Sequence, residues 1–437
     1  MTKCNQQSVG FPVCKRRRVE AHFGGADITS NGGVLLLRQA DRRLGLTQRV
    51  AAVVGDARRQ ASCRHDLIDL LRQRVYGLAL GYEDLNDHQS LRRDPALQTA
   101  VDCDEPLASS PTLCRWENRA DRETAWEIHR VLAEQFIASY KHPPKRLILD
   151  IDATDDVVHG TQEGRFFHGY YDHYCFLPLY VFGGSQLLVS YLRPSGADPA
   201  RHVWAILSLL VKRLRHAWPG VEIIVRGDSA FCRWRLLAWC ERHGVGYIVG
   251  LAKNNRVQAL AAELLSTARA RFDATQEKQR YFGDVTYAAG TWDRPRRVIA
   301  KAEYGAQGSN PRFVVTNLAG DAGMLYDTVY CLRGDMENRI KEQQLDLFAD
   351  RTSCHRWWPN QFRLLLSSLA YVLLETIRRL ALRGTVLARA QCGTLRLKLL
   401  KIGAVIVRNT RRVRLILSRG YPLQPLFFQV AARLAPD

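Results

Sequence analysis

The sequence has no hydrophobic run long enough to cross a membrane. Its longest uncharged stretch covers residues 175–192, and Pro178 together with a glycine-containing turn at residues 183–186 divides it into two predicted strands. The basic run at residues 15–18 is not followed by an apolar segment, so a secretory signal is not expected. These absences predict a soluble, intracellular chain.

Several catalytic and metal-binding patterns are also missing. The 11 cysteines form no Cys-x-x-Cys pair and no Cys/His cluster with zinc-ligand spacing, and their odd number is typical of free thiols in a reducing compartment. There is no Walker loop, dinucleotide fingerprint or Ser/His/Asp arrangement. No low-complexity block or internal repeat is visible, which argues against a disordered scaffold or a solenoid.

What the sequence has in excess is positive charge. Lys and Arg number 63 against 43 Asp and Glu, a formal net charge of +20 in a chain of 437 residues whose composition is otherwise that of a globular protein. A polyanionic partner fits this excess, because neutralising phosphates releases condensed counterions. The charge therefore indicates nucleic acid rather than a membrane surface, and the length allows two or three domains.

The first third of the chain is predicted to be helical. Apolar residues at helical spacing predict helices at 33–54 and 63–82, and Ser110 followed by Pro111 predicts the start of one long helix towards Tyr140. Pro143 and Pro144 then interrupt the pattern. Residues 1–142 are therefore predicted to form a helical N-terminal DNA-binding domain.

The order of elements changes after this point. Strands are predicted at 145–151, 176–182, 187–192, 221–225 and 245–251, with helices at 200–218 and 231–243. Three strands, helix, strand, helix, strand is the order of the RNase H-like fold. The predicted fold class is therefore α/β, with an RNase H-like catalytic core over residues 143–385 that a β-rich insertion interrupts at about 255–325.

The C-terminal third returns to helices. They are predicted at 326–349 and 359–383. Residues 386–437 are predicted to form a C-terminal helical and hairpin extension, with strands at 395–407 and 413–417 around a basic turn.

Acidic residues end the first and fourth strands of the predicted core. Asp150 and Asp152 share one strand face because side chains alternate, and Asp228 directly follows the strand at 221–225. A lone acid of this kind is often a cap or a solvated turn residue. In this fold, however, strands one and four are neighbours, so both acids would meet at one end of the sheet.

A third acid lies on a predicted helix. Tyr330, Arg333, Glu337, Lys341 and Gln344 fall on one helical face. One interpretation is a solvated face with a Glu337–Lys341 pair; the other is a face that holds a phosphate beside a metal. Asp152, Asp228 and Glu337 would suffice for two Mg²⁺ ions, with Mn²⁺ as a substitute, that activate a water or a DNA 3′-hydroxyl.

Motifs along nearly the whole chain carry a family resemblance. They are GYEDLND at 81–87, LDIDATDD at 149–156, GRFFHGYY at 164–171, RGDSAF at 226–231, NRIKE at 338–342 and NQFR at 360–363. With these motifs the chain resembles DDE-type insertion-sequence transposases, of the IS-thirteen-eighty group within the IS-four-like clan.

The resemblance implies roles for individual residues. Asp152, which Ala153 and Thr154 follow, matches the first catalytic acid better than Asp150, and Asp228 and Glu337 match the second and third. Tyr330 and Arg333 match the helix signature of the clan and would contact DNA with Lys341. Gln344 stands where the clan has a lysine. Asp150 would not bind metal itself but would orient a metal ligand or a water.

The resemblance also implies what the protein binds. Trp292 in the insertion is interpreted either as a residue that stacks on a flipped base or as an ordinary packing or surface residue. His159, His168 and His173 receive no role. The expected partners are the double-stranded DNA of transposon ends and target, bound by a homodimer or larger assembly in a prokaryotic cytoplasm, without a membrane. The alternatives are an RNase H-like nuclease that joins no strands and a non-catalytic DNA-binding derivative.

Overall fold

The computed structural model describes residues 8–23 and 25–435, and this described part begins with a β-hairpin. Strands β1 (Ser8–Cys14) and β2 (Arg17–His22) pair with each other and are exposed throughout, and β3 (Ile28–Thr29) follows. The N-terminal part was predicted to be mostly helical, and these strands, in which apolar residues such as Val9 and Phe11 alternate, were not predicted. Residues 1–7, 24 and 436–437, which the predicted domains include, lie outside the described part.

Helices follow, as the apolar spacing predicts, but with additional breaks. They are α1 (Val34–Leu44), α2 (Leu46–Val53), α3 (Leu67–Ala79), α4 (His88–Leu91), α5 (Pro95–Val101), α6 (Ser110–Glu117) and α7 (Arg122–Ala138). Gly45, at φ 63°, separates α1 from α2. The single long helix predicted from Ser110 is wrong, because the Asp121 carboxylate accepts the Thr124 amide at 2.8 Å and begins α7 anew.

The middle of the chain forms a central sheet and a small sheet beside it. The elements are β4 (Arg146–Ala153), β5 (Asp156–Val157), β6 (Phe166–His168), β7 (His173–Phe176), β8 (Leu179–Gly183), β9 (Gln186–Tyr191), α8 (Val203–Ala217), β10 (Glu222–Gly227), α9 (Trp234–Arg242) and β11 (Gly246–Leu251). The central order is β9-β8-β4-β10-β11; β8 pairs antiparallel with both β4 and β9, and β10 and β11 run parallel to β4. The small sheet, β5-β7-β6, was not predicted.

The predicted insertion lengthens the central sheet. It contains α10 (Asn255–Leu260), α11 (Ala262–Thr275), β12 (Gln279–Tyr287), β13 (Arg296–Gly305), β14 (Gly308–Ser309) and β15 (Arg312–Thr316). Strand β15 pairs antiparallel with β11, and β13 and β12 follow outward. The strands that the sequence indicates here are therefore part of the same sheet as β4.

Helices and a second hairpin complete the chain. They are α12 (Ala322–Met324), which continues through residues 325–333 into α13 (Gly334–Lys341) and on to residue 346; α14 (Trp357–Thr376), which continues to residue 381; α15 (Cys392–Leu395), which continues to residue 400; β16 (Ala404–Asn409); β17 (Arg412–Leu417); and α16 (Gln424–Leu434). The predicted strand at 395–407 begins only at Ala404, and α16 was not predicted. Strand β16 also pairs with β3.

The two faces of the central sheet are packed differently. Leu149 and Ile151 of β4 point into the core formed with α8 and α9. The opposite face carries Ile224 of β10 against Tyr326 in the helical segment that contains α13. This second face is the one to which Asp150 and Asp152 belong.

The helical ends of the chain share a single core. Val34 of α1, Leu71 of α3, Leu369 of α14 and Leu399 all belong to it. Apolar packing therefore crosses both boundaries of the predicted domains, residues 1–142, 143–385 and 386–437. The division into these domains stays a prediction. No helix within residues 8–23 and 25–435 is long and apolar enough to span a bilayer.

Candidate active site

Two of the predicted acids leave neighbouring parallel strands side by side. Gly227 at the end of β10 lies opposite Ile151 of β4, so the next residues, Asp228 and Asp152, are at the same edge of the sheet. The Asp152 carboxylate accepts the amide of Ala153 at 2.9 Å, and that of Asp228 accepts the amide of Ala230 at 2.9 Å. Both side chains are held by their own backbone at the carboxyl ends of the strands.

The third acid reaches this edge from α13 through an arginine. Arg333 Nη1 lies 3.1 Å from Asp152 Oδ2, and Arg333 Nη2 forms an ion pair with Glu337 Oε1. Asp152 retains 13% side-chain exposure, whereas Glu337 retains 45%. The structure thus brings together all three predicted catalytic acids, with the Arg333 guanidinium between the first and the third.

The electrostatics of the site reflect this crowding. Burial raises the pKa of Asp152 to about 7; the carboxylates of Asp228 and Glu337 add to the rise, and Arg333 opposes it. Burial also raises the pKa of Tyr330, whose hydroxyl lies near Asp228. The single positive charge of Arg333 therefore faces the carboxylates of Asp152, Asp228 and Glu337, and part of their negative charge is not neutralised.

A glycine on β11 allows these groups to approach. A Cβ placed on Gly250 would lie 2.8 Å from the Tyr330 hydroxyl and 2.9 Å from the Ser229 amide nitrogen. Both distances are shorter than van der Waals contact, so a side chain here would displace the turn that begins with Asp228. Sequence reasoning missed Gly250, because a glycine in a strand gives no sign of what approaches it.

Asp150 has a different environment from Asp152. Its carboxylate is buried and paired with Arg226 of β10, with Arg226 Nη2 2.7 Å from Asp150 Oδ2. Burial raises the pKa of Asp150, and Arg226 opposes the rise. The same guanidinium donates to the carbonyl of Val329. Asp150 therefore positions, through Arg226, the helical segment that carries Tyr330 and Arg333.

The predicted helix face is only partly engaged. Tyr330 and Arg333 are at the site, whereas Lys341 is exposed and, within the described residues, its ammonium has no hydrogen bond or ion pair. The alternative Glu337–Lys341 pair is not formed, because Glu337 pairs with Arg333. Gln344 donates to the carbonyl of Asp155 at 2.8 Å, so it fastens the chain that follows Asp152.

The remaining residues of interest make other contacts. Trp292 packs edge-on against Tyr287, with ring centroids 5.4 Å apart, and lies under the guanidinium of Arg296. His173 Nε2 lies 2.9 Å from Asp155 Oδ2, a contact that sequence reasoning missed. His159 is exposed, and His168 belongs to β6.

The three carboxylates offer the oxygen ligands that a hard divalent cation prefers. Their side chains are not yet arranged around one point, as bound metal would require. Asp152, Asp228 and Glu337 offer only carboxylate oxygens, which Mg²⁺ prefers. Among residues 8–23 and 25–435, no group of three or more His, Cys, Asp or Glu side chains is already arranged to hold a metal ion. Arg333 occupies the space between Asp152 and Glu337, so a cation would have to take over its contacts there.

Comparisons with known proteins identify the family of the chain. No curated protein sequence matches the chain. A solved structure, the cryo-EM structure of piggyBac transposase synaptic complex with hairpin DNA, is similar at 14% identity and a TM-score of 0.42, over 86% of this chain and 82% of that one. A family model described as transposase DDE domain group 1 matches residues 11–437. Because that match spans nearly the whole sequence, the chain belongs to the transposase DDE domain group 1 family.

Proposed function

We propose that this transposase binds the terminal inverted repeats of its own insertion sequence, cleaves DNA at the ends and transfers the freed 3′-hydroxyls to target DNA by two-metal phosphoryl transfer. The observation that carries the proposal is the convergence of Asp152, Asp228 and Glu337 on Arg333 at one edge of the sheet. The strand order β9-β8-β4-β10-β11 supports an RNase H-like core beneath this edge.

The catalytic metals of the proposal are two Mg²⁺ ions, for which Mn²⁺ can substitute. Asp152, Asp228 and Glu337 would hold them, and the bound ions would activate the attacking oxygen and stabilise the leaving one. The uncompensated carboxylate charge around Asp152 favours a cation at this place. Asp150 would take no direct part, because Arg226 already occupies its carboxylate.

The cationic residues of α13 and its surroundings would hold the DNA. Arg333, once released from Asp152 and Glu337, has a planar donor set that matches a phosphate. Lys341 lies one helical turn beyond Glu337 and is exposed, so its ammonium can reach a phosphate without breaking an existing pair. Tyr330 would orient the backbone beside Asp228.

We also propose further DNA contacts, an oligomeric state and a transposase group for this chain. Phosphate contacts from the N-terminal helices and from the exposed basic residues Arg411, Arg412 and Arg414 of the C-terminal hairpin would supplement the site. Cutting two ends together requires a homodimer or larger complex on double-stranded DNA. The sequence motifs support membership of the IS-thirteen-eighty group, and the protein would act in a prokaryotic cytoplasm with the three domains predicted above.

The test is a cleavage and joining assay on labelled DNA that carries the inverted repeats flanking the gene. We expect wild-type protein with Mg²⁺ to nick the ends and to join them to a target plasmid, and Asp228→Asn to do neither while still binding the ends. Asp335→Asn is the control, because Asp335 is an exposed acid on α13, the helix that carries Glu337, and is not one of the three proposed ligands. Nicking without joined products would favour a nuclease, and equal cleavage by Asp228→Asn would overturn the proposal.

A further inference from the structure

The small sheet beside the active site presents an unusual number of exposed aromatic rings. We call residues 156–176, with β5, β6 and β7, the β-flap; it begins four residues after Asp152. Tyr170 at its tip is 85% exposed, Phe167 53% and Tyr174 46%. Exposing three large rings on one short segment costs free energy in water, so a partner that covers them is to be expected.

The β-flap has a fixed base, so its exposed rings are not a frayed end. Phe176 is buried and packs edge-on against Trp357, with ring centroids 5.3 Å apart. The Glu163 carboxylate accepts the Trp357 amide at 3.1 Å, and the Gln162 side-chain amide donates to the Thr352 carbonyl at 3.0 Å. The tip is therefore presented on a rigid support.

A series of ring contacts connects this tip to the catalytic edge. Tyr170 and Tyr171 pack edge-on at 5.0 Å, and Tyr171 stacks on His173 at 6.0 Å. His173 contacts the Asp155 carboxylate at 2.9 Å, and the Asp155 carbonyl accepts the amide of Gln344 from the helix that carries Glu337. The rings thus lead from solvent to the residues that follow Asp152.

A single arginine lies among the exposed rings of the β-flap, whose acidic residues are Asp156, Glu163 and Asp172. The guanidinium of Arg165 lies over the ring of Tyr174, 4.5 Å from its centroid, so a cation accompanies the exposed rings. Stacking on an aromatic ring needs the free face of a base, which a paired and stacked duplex does not offer. The complementary ligand is therefore an unpaired nucleotide.

We propose that the β-flap is a stacking platform for unpaired bases of the DNA end, next to the phosphate that is cut. The inference rests on the proposed function only in taking DNA as the substrate. Tyr170 would receive the base, Phe167 and Tyr174 would extend the apolar surface, and Arg165 would contact the adjoining phosphate. The platform would hold the strand open beside Asp152 and Asp228.

A fluorescence experiment with the full chain, without divalent metal, separates binding from cleavage. The probe is an element-end duplex with three unpaired nucleotides at its tip, one of them 2-aminopurine, whose emission falls when it stacks. We expect wild-type protein to quench the probe and to bind it more tightly than the blunt duplex. We expect Tyr170→Ala to bind it roughly tenfold more weakly with loss of quenching, and Tyr170→Phe, which keeps the ring, to behave as wild type.

The control is Trp204→Ala on α8, which removes a half-exposed ring from a helix on the opposite face of the sheet and should change nothing. Equal affinity of wild-type protein for blunt and unpaired ends would overturn the platform, as would full quenching by Tyr170→Ala. A change in oligomeric state of Tyr170→Ala with quenching retained would identify the β-flap as a contact between copies and would also overturn it. Quenching by a wild-type protein that cleaves nothing would support the platform while the proposed function fails.

Discussion

Two acid–arginine groups on the same strand face, two residues apart, show what distinguishes a structural carboxylate from a reactive one. In the first, which we call the sealed pair, Asp150 and Arg226 are both buried and satisfy each other through two parallel contacts. In the second, the open cluster, Arg333 is shared by Asp152 and Glu337, with Asp228 nearby.

The difference lies in the ratio of charges and in access. The sealed pair is one to one and closed to solvent, so losing Arg226 would leave the buried carboxylate of Asp150 unpaired. The open cluster has three carboxylates for one guanidinium, and Glu337 is 45% exposed, so its cation can be exchanged. The sealed pair should therefore matter for the stability of the fold, and the open cluster for catalysis.

The largest effect should come from the open cluster. We expect Asp152→Asn to lower Mg²⁺-dependent cleavage of a labelled element end by more than about a hundredfold, the upper end of what losing an outer partner of a metal ligand costs. Its melting temperature should not fall, because the substitution removes a charge that burial, together with repulsion from Asp228 and Glu337, disfavours more than Arg333 stabilises it.

Asp150→Asn is the comparison that decides the assignment. It should lose no more than roughly 10–100-fold in the same assay, because Asp150 acts through Arg226. Normal cleavage by Asp152→Asn together with none by Asp150→Asn would reverse the roles of the two acids.

The next effect should be on the sealed pair. We expect Arg226→Met to lower the free energy of unfolding by about 3–5 kcal/mol, because it leaves the carboxylate of Asp150 buried without its partner. Urea unfolding followed by circular dichroism measures this change.

Two further variants test whether Arg226→Met is destabilising because it leaves Asp150 unpaired. Combining Arg226→Met with Asp150→Leu should recover most of the loss, since apolar replacement of a whole buried pair is often neutral. Arg333→Met, in the more exposed open cluster, should cost less than Arg226→Met. A loss below about 1 kcal/mol for Arg226→Met would mean that the pair is not sealed.

A smaller effect should follow from crowding the turn at Asp228. Gly250→Ala would place a Cβ within 3.0 Å of the Tyr330 hydroxyl and the Ser229 amide, so we expect about 1–3 kcal/mol of destabilisation and slower cleavage. Gly290→Ala is the control, because no heavy atom lies within 4 Å of the added group. Equal stability of the two variants would show that the turn yields without cost.

The acids of both groups could be predicted because each has a local signature. Asp150 and Asp152 alternate at the end of a hydrophobic strand, Asp228 directly follows another, and Glu337 has the helical spacing that the resemblance requires. Their partners could not be predicted. Helical spacing places Arg333 and Lys341 equally far from Glu337, and the choice is made by Asp152, which lies 181 residues before Arg333.

The fold shows the same limit. The succession of strands and helices along the central part of the chain follows from local hydrophobic patterns. The pairing of β15 with β11, in contrast, depends on contacts between distant segments. Some errors were avoidable: Asp121 three residues before Thr124 is a helix-start signal, and alternation at Val9 and Phe11 indicates a strand. The Gly250 contact, by contrast, exists only in three dimensions.

The smallest effect should show whether Lys341, which lies outside the open cluster, contacts DNA or belongs to a solvated surface. Lys341 is exposed and forms no ion pair within the part of the chain that the structure describes, so its removal should leave the fold intact. If its ammonium contacts one phosphate, Lys341→Ala should reduce the slope of log affinity against log salt by about 0.9, measured by fluorescence anisotropy on an element end. Lys212→Ala, an exposed lysine on α8 at the opposite face of the sheet, should leave that slope unchanged. The same slope for Lys341→Ala and wild type would place Lys341 outside the DNA contact and confine the cationic role on this helix to Arg333.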